Sequence, residues 1–353
     1  MRILVTADIH FGYPNRLKDN IWSMMAMSQY ATENGIEKIM CLGDFFHNRD
    51  HITIDVLNAV HLFFKASKQE WIMFPGNHDM FMKTSWKINS IRPLEKYATT
   101  YNKVSSFELD GRNFVVVPFI HHEAEYMDTI REAEDKYPED SILLTHIGVN
   151  NAVNNSCFLL KNWSNVNLSD IKFSLVLSGH FHNYQVIDDK ICYPGSPIPF
   201  RFDEGMVPHG FLDLDTDTLD VNFVDLREIR DDCPHDFITI TDEIIEEADA
   251  ANAPFLKGND KVRVVLNKEY SQPELEAIRS RVLAEGAQSV SWMKPRSEEC
   301  EYQVEEKVDE SIPSFVRWLD TQNHSKYDKD LLMSLYDSIS EEAEDKYSRA
   351  EEE

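Results

Sequence analysis

Short apolar runs that end abruptly in polar residues recur along the chain. The clearest is Trp71-Ile72-Met73-Phe74, which stops at a Pro-Gly turn followed by Asn77-His78-Asp79. An apolar run of this length bounded by a turn is typical of a buried strand. Four further runs have the same form, at residues 3–7, 38–42, 142–144 and 173–177. Each of the five predicts a strand with Asp, Asn or His close behind its carboxyl end.

Amphipathic segments separate the first three of these strands. Residues 17–34 and 54–67 space their apolar side chains as a helix does, with Met25 and Leu57 on the predicted buried faces. The alternation of strand and helix predicts parallel βαβ units. In an open sheet of such units, ligands bind outside the carboxyl ends of the strands, so the polar residues there should converge on one site.

Seven side chains at the strand ends have the chemistry of metal ligands. In Asp8-x-His10 and His180-x-His182, an extended backbone would place both side chains of a pair on one face, where they could chelate an ion. Imidazoles, carboxylates and one amide, without a thiolate, favour Mn²⁺, Fe²⁺ or Zn²⁺ in a site that is not a structural zinc site. The seven candidates are Asp8, His10, Asp44, Asn77, His146, His180 and His182.

Seven ligands exceed what one ion usually takes. Two ions that share a carboxylate, about 3.5–4 Å apart, would use the whole set. Such a pair activates a water molecule and neutralises a phosphoryl group. The residues therefore predict a dinuclear centre for phosphoester hydrolysis.

The order and separations of these residues resemble the motifs of calcineurin-like metallophosphoesterases. The resemblance implies a two-sheet α/β/β/α sandwich in which Asp44 bridges two ions. It implies that His78 protonates the leaving oxygen. It also places His47 near the metals, as a candidate catalytic residue for which contact with substrate and a purely structural role are both open. The implied ligands are Asp8, His10, Asp44 and His182 for one ion and Asp44, Asn77, His146 and His180 for the other.

A later segment is similar to one family of nucleases. Residues 191–197 and Phe202-Asp203-Glu204 resemble the segment after the last metal motif in SbcD-type double-strand-break repair nucleases and their phage counterparts, although Arg201 stands where that pattern usually has serine. The resemblance implies a metal-dependent DNA exonuclease and endonuclease within an SbcCD-like recombination and repair complex. Mn²⁺ is the favoured ion, with Mg²⁺, Fe²⁺ and Zn²⁺ as alternatives. The implied partners are DNA and an SbcC-type, SMC-like ATPase subunit, and a homodimer remains open.

Two other functions are compatible with the same catalytic motifs. One is a small-molecule phosphatase or cyclic-nucleotide phosphodiesterase, which the segment at 193–196 and the C-terminal region disfavour. The other is a non-catalytic scaffold with this fold. Scaffolds of this kind usually lose ligands, and none of the seven is missing.

The remaining chain predicts two further parts. Residues 1–230 form the expected nuclease domain, and residues 231–297 predict strand, helix, strand, helix, strand, the pattern of a small α/β domain. The resemblance to SbcD-type nucleases implies that this unit is their capping domain. Residues 298–353 form an acidic linker and a helical tail. The tail's helices are too short to bury their own apolar faces, so they need a partner surface. The resemblance implies that this partner is the ATPase, while packing on the chain itself is the alternative. The predicted partner-binding residues are Phe315, Trp318, Leu319, Leu332, Leu335 and Tyr336.

The charge balance is unusual for a protein that binds DNA. The formal net charge is −27, and residues 296–353, with 18 acidic and 7 basic side chains, contribute −11 of it. Phosphate contacts by Lys and Arg usually supply most nucleic-acid affinity. We therefore expect affinity to come from the metals, a partner and local cations. Lys83, Lys87 and Arg92 are the candidates, in an aromatic and basic stretch whose alternative is an ordinary packed loop.

Cysteine usage and hydropathy bear on the compartment. The five cysteines are odd in number and scattered, without a C-x-x-C spacing, which is typical of reduced thiols in a cytosolic protein. No stretch approaches the roughly 18 apolar residues of a membrane span. We expect a cytoplasmic protein without membrane association, in the host cytoplasm if a phage encodes it.

Overall fold

A computed structural model describes residues 1–156, 158–161, 164–205, 207–230, 237–251, 253–256 and 260–294. The helices are α1 (Leu17–Glu33), α2 (Ile54–Ala66), α3 (Glu123–Lys136), α4 (Leu226–Ile229), α5 (Asp242–Ala251) and α6 (Gln272–Ala284). The strands are β1 (Arg2–Thr6), β2 (Lys38–Cys41), β3 (Glu70–Met73), β4 (Met80–Met82), β5 (Ser85–Asn89), β6 (Ala98–Thr100), β7 (Ser105–Leu109), β8 (Arg112–Val117), β9 (Ile142–His146), β10 (Leu175–Gly179), β11 (Gln185–Ile187), β12 (Ile191–Tyr193), β13 (Gly210–Asp215), β14 (Val221–Asp225), β15 (Phe237–Thr241), β16 (Lys261–Val265) and β17 (Ser289–Met293).

The strands of the first 230 residues form two six-stranded sheets. The first has the order β14-β13-β1-β2-β3-β6, and the second has the order β11-β12-β10-β9-β8-β7. The four strands β1, β2, β3 and β6 run parallel, as do β12, β10, β9 and β8. The carboxyl ends of the parallel strands in each sheet therefore lie at one edge.

The two sheets pack face to face, with helices outside them. Side chains alternate across a strand, so Val5 lies in the core between the sheets while Leu4 packs in the cluster that includes α1 and α2. In the second sheet Val116 points to the same inner core, and Val115 packs in the cluster of α3. Both faces of each sheet are covered, which explains the continuous apolar runs. The predicted α/β/β/α sandwich is confirmed.

A third, smaller unit follows the sandwich. β15, β16 and β17 form a parallel sheet, with α5 and α6 between successive strands. Its own apolar cluster centres on Ile240, Val262, Val264 and Val282. The predicted order of strands and helices matches these elements. The domain boundaries at 230 and 297 stay predictions, and the tail residues Phe315, Trp318, Leu319, Leu332, Leu335 and Tyr336 lie outside the described residues.

Two predicted core positions on the helices are wrong. Met25 is 59% exposed and Leu57 is 49% exposed, while Met24 and Met27 are buried. Neighbouring residues on a helix point in directions that differ by about 100°. When the apolar face is predicted one residue away from its true place, a residue expected in the core is therefore exposed. None of the described helices is long and apolar enough to cross a membrane.

Candidate metal centre

All seven predicted ligands lie together at the carboxyl edges of the two sheets. The loops after β1, β2 and β3 supply the carboxylates, His10 and the amide, whereas β9 and the loop after β10 supply the other three imidazoles. The sandwich therefore assembles the centre from residues up to 174 positions apart in sequence, Asp8 and His182. Their ligand roles stay predictions, which the geometry below supports.

The first ligand group consists of Asp8, His10, Asp44 and His182. The Nε2 atoms of His10 and His182 are 3.1 Å apart, and the His10 Nε2 lies 3.7 Å from Oδ2 of Asp44. One ligand atom each of Asp8, His10 and His182 lies within 4.8 Å of the others. All four side chains are buried.

The second ligand group consists of Asp44, Asn77, His146 and His180. Oδ1 of Asn77 lies 3.1 Å from Nε2 of His146 and 3.0 Å from Nδ1 of His180. Oδ2 of Asp44 lies 3.4 Å from the same His146 nitrogen. A single oxygen of Asp44 thus faces both groups, which is the position of a bridging ligand.

The donor atoms of the second ligand group fit a cation. The Nδ1–H of His146 donates to the carbonyl oxygen of Leu42 at 2.7 Å, so Nε2 is the acceptor of the neutral ring. That nitrogen faces oxygens of Asn77 and Asp44, which are acceptors as well. Acceptors that face one another in a buried site need a cation or proton between them.

The electrostatics of the site agree with this requirement. Burial lowers the pKa of His10 well below its usual range and that of His180 to about 3, so both imidazoles are neutral, as metal ligands must be. Burial opposes ionisation of Asp44, but His146 and its neighbours hold the pKa of this carboxyl well below its usual range. Burial also opposes charge on His146, whereas Asp44 and Asp8 raise its pKa to about 9. The same two carboxylates would attract a metal ion.

The backbone at four of the seven ligands is not extended, and in this respect the chelation argument from sequence is wrong. Asp8, His10 and Asp44 have φ values of 53°, 52° and 52°, and His180 has 102°. Non-glycine residues in this region cost on the order of 1–3 kcal/mol each and persist only where the surroundings enforce them. Turns of left-handed backbone, rather than strand alternation, aim these side chains into the centre.

Glycine is required where the loops press against His146. An ideal Cβ on Gly43 would lie 2.7 Å from the His146 Nδ1, and one on Gly179 would lie 2.7 Å from the same atom. Gly43 also has a φ of 91°. Any larger residue at either position would displace the imidazole.

Asp79 joins the loops that carry the ligands. Its carboxylate accepts the backbone N–H groups of Phe45, Phe46 and Gly76 at 2.9–3.1 Å and the hydroxyl of Ser90 at 3.1 Å. Burial raises the pKa of Asp79 to about 7, and the backbone donors oppose this rise. The sequence analysis assigned this residue no role, because its partners lie 3 to 34 positions away.

Glu204 orients His182, and the sequence analysis also gave it no role. The Nδ1–H of His182 donates to Oε1 of the fully buried Glu204 at 2.9 Å, which leaves Nε2 for the first ligand group. The other carboxylate oxygen accepts the Phe200 N–H at 2.8 Å. A carboxylate behind a histidine fixes the tautomer and ring orientation of a metal ligand. The nuclease-like segment at 202–204 was the available signal.

The two candidate catalytic histidines stack beside the first ligand group. The rings of His47 and His78 are 5.2 Å apart and nearly parallel, and the ring of His78 lies 4.9 Å from that of His10. The His78 Nδ1–H donates to the His47 carbonyl oxygen at 2.7 Å, so Nε2 is the atom at which His78 gains or gives a proton. Burial lowers the pKa of His47 to about 4, which keeps that ring neutral.

The predicted DNA-contacting residues line one cavity of about 370 Å³, which we call the basic cavity. Its wall includes Lys83, Lys87, Arg92, Lys103, Trp86 and Phe119. The ring of Phe119 lies 6.4 Å from that of His180 and 6.4 Å from that of His146. The basic cavity therefore adjoins the second ligand group through Phe119. Lys103 was not anticipated, because it lies in a loop 16 residues beyond Lys87.

A comparison with protein families agrees with the motifs. Residues 1–184 match the family model described as calcineurin-like phosphoesterase. Solved structures similar to this chain include a dimetal phosphatase from Danio rerio, with 10% identity over 60% of this chain and 91% of that chain and a TM-score of 0.40. A nuclease from Pseudomonas putida has 16% identity over 54% of this chain and 66% of that chain, with a TM-score of 0.29.

A third similar structure is GAP50, the anchor in the inner membrane complex of Plasmodium, with 11% identity over 64% of this chain and 88% of that chain and a TM-score of 0.39. No curated protein matches. The family match spans more than half of the chain and contains all seven candidate ligands. The chain therefore belongs to the calcineurin-like phosphoesterases and is a metal-dependent phosphoesterase.

Proposed function

We propose that this phosphoesterase is a dinuclear DNA nuclease, the SbcD-type subunit of a recombination and repair complex of phage or bacterial origin. One observation carries the proposal: a basic cavity adjoins the metal ligands of a chain whose net charge is −27. Cations gathered beside a phosphoester-cleaving centre, on a protein otherwise so acidic, indicate a substrate with several phosphates.

The chain's own residues have distinct tasks in this proposal. Two bound ions would activate a water molecule and neutralise the charge that develops on the scissile phosphate. Asp44 faces both ligand groups and would bind both ions, and Glu204 keeps the His182 ring in place. His78 gives the proton on its Nε2 to the departing sugar oxygen, while the carbonyl oxygen of His47 holds its Nδ1–H.

A small-molecule phosphatase is the second candidate on the same centre. A monoester substrate would need few phosphate contacts, so the basic cavity would have no evident task. The small α/β unit favours a larger substrate as well. Phe202 and Asp203 of the segment that carries Glu204 contact Phe237 and Arg263 of that unit, which connects it with the metal centre.

The partner is part of the proposal. We propose that residues 308–345 bind an SbcC-type ATPase through Phe315, Trp318, Leu319, Leu332, Leu335 and Tyr336, and that the complex acts in the cytoplasm. Aromatic anchors contribute a large share of binding energy when they fill a partner's pocket.

The test is hydrolysis by the purified full chain with Mn²⁺. Linear DNA with blunt, overhanging and hairpin ends is compared with an aryl phosphomonoester and an aryl phosphodiester. We expect DNA cleavage that stops on addition of a chelator and resumes with Mn²⁺. Turnover of the aryl esters without cleavage of any DNA would contradict the nuclease, and a chain inactive on every substrate would indicate a scaffold.

A further inference from the structure

The basic cavity has the character of an anion site. Among the described residues that line it, four cations, Lys83, Lys87, Arg92 and Lys103, stand against one carboxylate, that of Glu125. Three of these cations come from the β4–β5 hairpin and the short 3₁₀ helix Arg92–Leu94 after it, and Lys103 comes from the loop before β7. Two separate segments thus bring positive charge to the basic cavity.

The basic cavity also offers an aromatic surface. Trp86 is only partly buried, and its indole Nε1–H donates to the carbonyl oxygen of Phe119 at 2.7 Å, which fixes the ring at the cavity wall. Phe119 in turn stacks toward His180 with an angle of 23° between the rings. A group bound against Trp86 would therefore lie beside the second ligand group.

We propose that the basic cavity receives one unpaired nucleotide of the substrate strand, next to the phosphate that is cleaved. The base stacks on Trp86, and the phosphates on either side of the nucleotide contact the cations. This inference rests on the proposed DNA nuclease function. It adds that the enzyme acts on unpaired strand ends or separated strands.

The shape and chemistry of the basic cavity favour an unpaired nucleotide over a duplex. Its volume of about 370 Å³ is near the lower end of clefts that hold one small molecule. A paired base is stacked between its neighbours and reaches such a pocket only after it is flipped out, which an unpaired base avoids. Aromatic side chains combined with a basic groove are the usual means of binding a single strand.

The test is metal-free binding of a labelled single strand and of the matching blunt duplex to the full chain. We expect the wild type to prefer the single strand by roughly tenfold or more. Lys83→Ala with Lys87→Ala should weaken single-strand binding and reduce the slope of log affinity against log salt by about 1.4, the value for two phosphate contacts. Trp86→Leu should weaken binding by roughly tenfold with an unchanged slope, and Trp86→Phe should restore most of it.

A matched control pair lies at the opposite edge of the sheet. Lys65 and Lys68 are exposed and precede β3, whereas the metal ligands follow the strands at their carboxyl ends. Lys65→Ala with Lys68→Ala removes the same charge and should leave affinity and salt slope close to wild type. An equal loss in the control pair, or a wild type that binds the duplex as tightly as the single strand, overturns the proposal.

Cleavage of the same oligonucleotides with Mn²⁺ separates the two hypotheses. A wild type that prefers the single strand yet cleaves no DNA contradicts the nuclease function and supports the binding site. A wild type that cleaves DNA, while the Lys83/Lys87 and Trp86 variants behave as the control pair does, contradicts the binding site and leaves the nuclease intact.

Discussion

The metal centre and the basic cavity are neighbours built on opposite principles. Side chains of the metal centre are mostly buried, and four of the seven ligands stand on left-handed backbone. Asp79 holds the loops that carry ligands, and Glu204 holds His182. The cations of the basic cavity are exposed side chains, and two of the four lie on a two-stranded hairpin separate from the large sheets. Left-handed, strained backbone occurs at the metal ligands, and none occurs at the described residues that line the basic cavity.

The difference agrees with what each region is proposed to bind. Two ions and a reacting phosphate need ligand atoms at defined positions, so the supporting residues must leave each side chain one orientation. A flexible polyanion can change its conformation to follow the protein surface, so positive side chains near its phosphates are sufficient to bind it. Substitutions should therefore have large, specific effects in the metal centre and smaller, graded effects elsewhere.

The largest effect is expected at the bridging carboxylate. Asp44→Asn removes the charge that both ligand groups share and should weaken binding of both ions, with a loss of activity greater than the roughly 10²–10⁴-fold expected for one general acid. Titration calorimetry with Mn²⁺ measures the two affinities. The same change at Asp128, whose side chain is 70% exposed on α3, should leave both intact. Unchanged affinity for either ion in the Asp44 variant would argue against a bridge.

The next effect separates chemistry from metal binding. His78→Ala should lower kcat by roughly 10²–10⁴-fold while two ions remain bound, because His78 is no ligand in this assignment. Metal content after gel filtration and steady-state kinetics measure both quantities. His61→Ala, at an exposed histidine on α2, is the control and should retain kcat. A His78 variant with only one ion would assign that residue to the ligands.

A smaller effect is expected behind the ligands. Glu204→Gln keeps the size of the side chain and an oxygen for the Phe200 N–H but weakens the hold on His182, so affinity for one ion should fall by about 10–100-fold. The second ion should bind as before, which stepwise calorimetry resolves. Asp203→Asn changes the neighbouring carboxylate, which contacts Arg263 instead, and should alter neither affinity. An equal loss of affinity for both ions would contradict a role of Glu204 that is confined to His182.

The smallest effect on either region is expected from the tail. Deleting residues 308–353 should preserve metal content and Mn²⁺-dependent cleavage of short DNA while it abolishes association with an SbcC-type ATPase. Trp318→Ala with Leu335→Ala should reproduce much of the defect, since truncating one anchor can cost about 2 kcal/mol, roughly thirtyfold in affinity. Co-purification and calorimetry with the ATPase measure this. A truncated chain that loses its metal would instead assign the tail to the nuclease core.

Local pattern determined much of this protein. The predicted helices at 17–34 and 54–67 match α1 and α2 within a residue at their ends. Apolar runs and the polar residues behind them also located the seven candidate ligands. These features are readable because periodicity, turn residues and strand length depend on neighbours in the chain.

Tertiary structure alone decided how those ligands are held. The left-handed backbone at Asp8 and His10, the contacts of Asp79, the support of His182 by Glu204 and the arrival of Lys103 at the basic cavity have no periodic signature. Each arises where segments distant in sequence meet, and there the packing of the two sheets outweighs local preference. The sequence thus determined which chemistry the chain carries, and the sandwich determined its geometry, because ligand orientation is a property of contacts rather than of spacing.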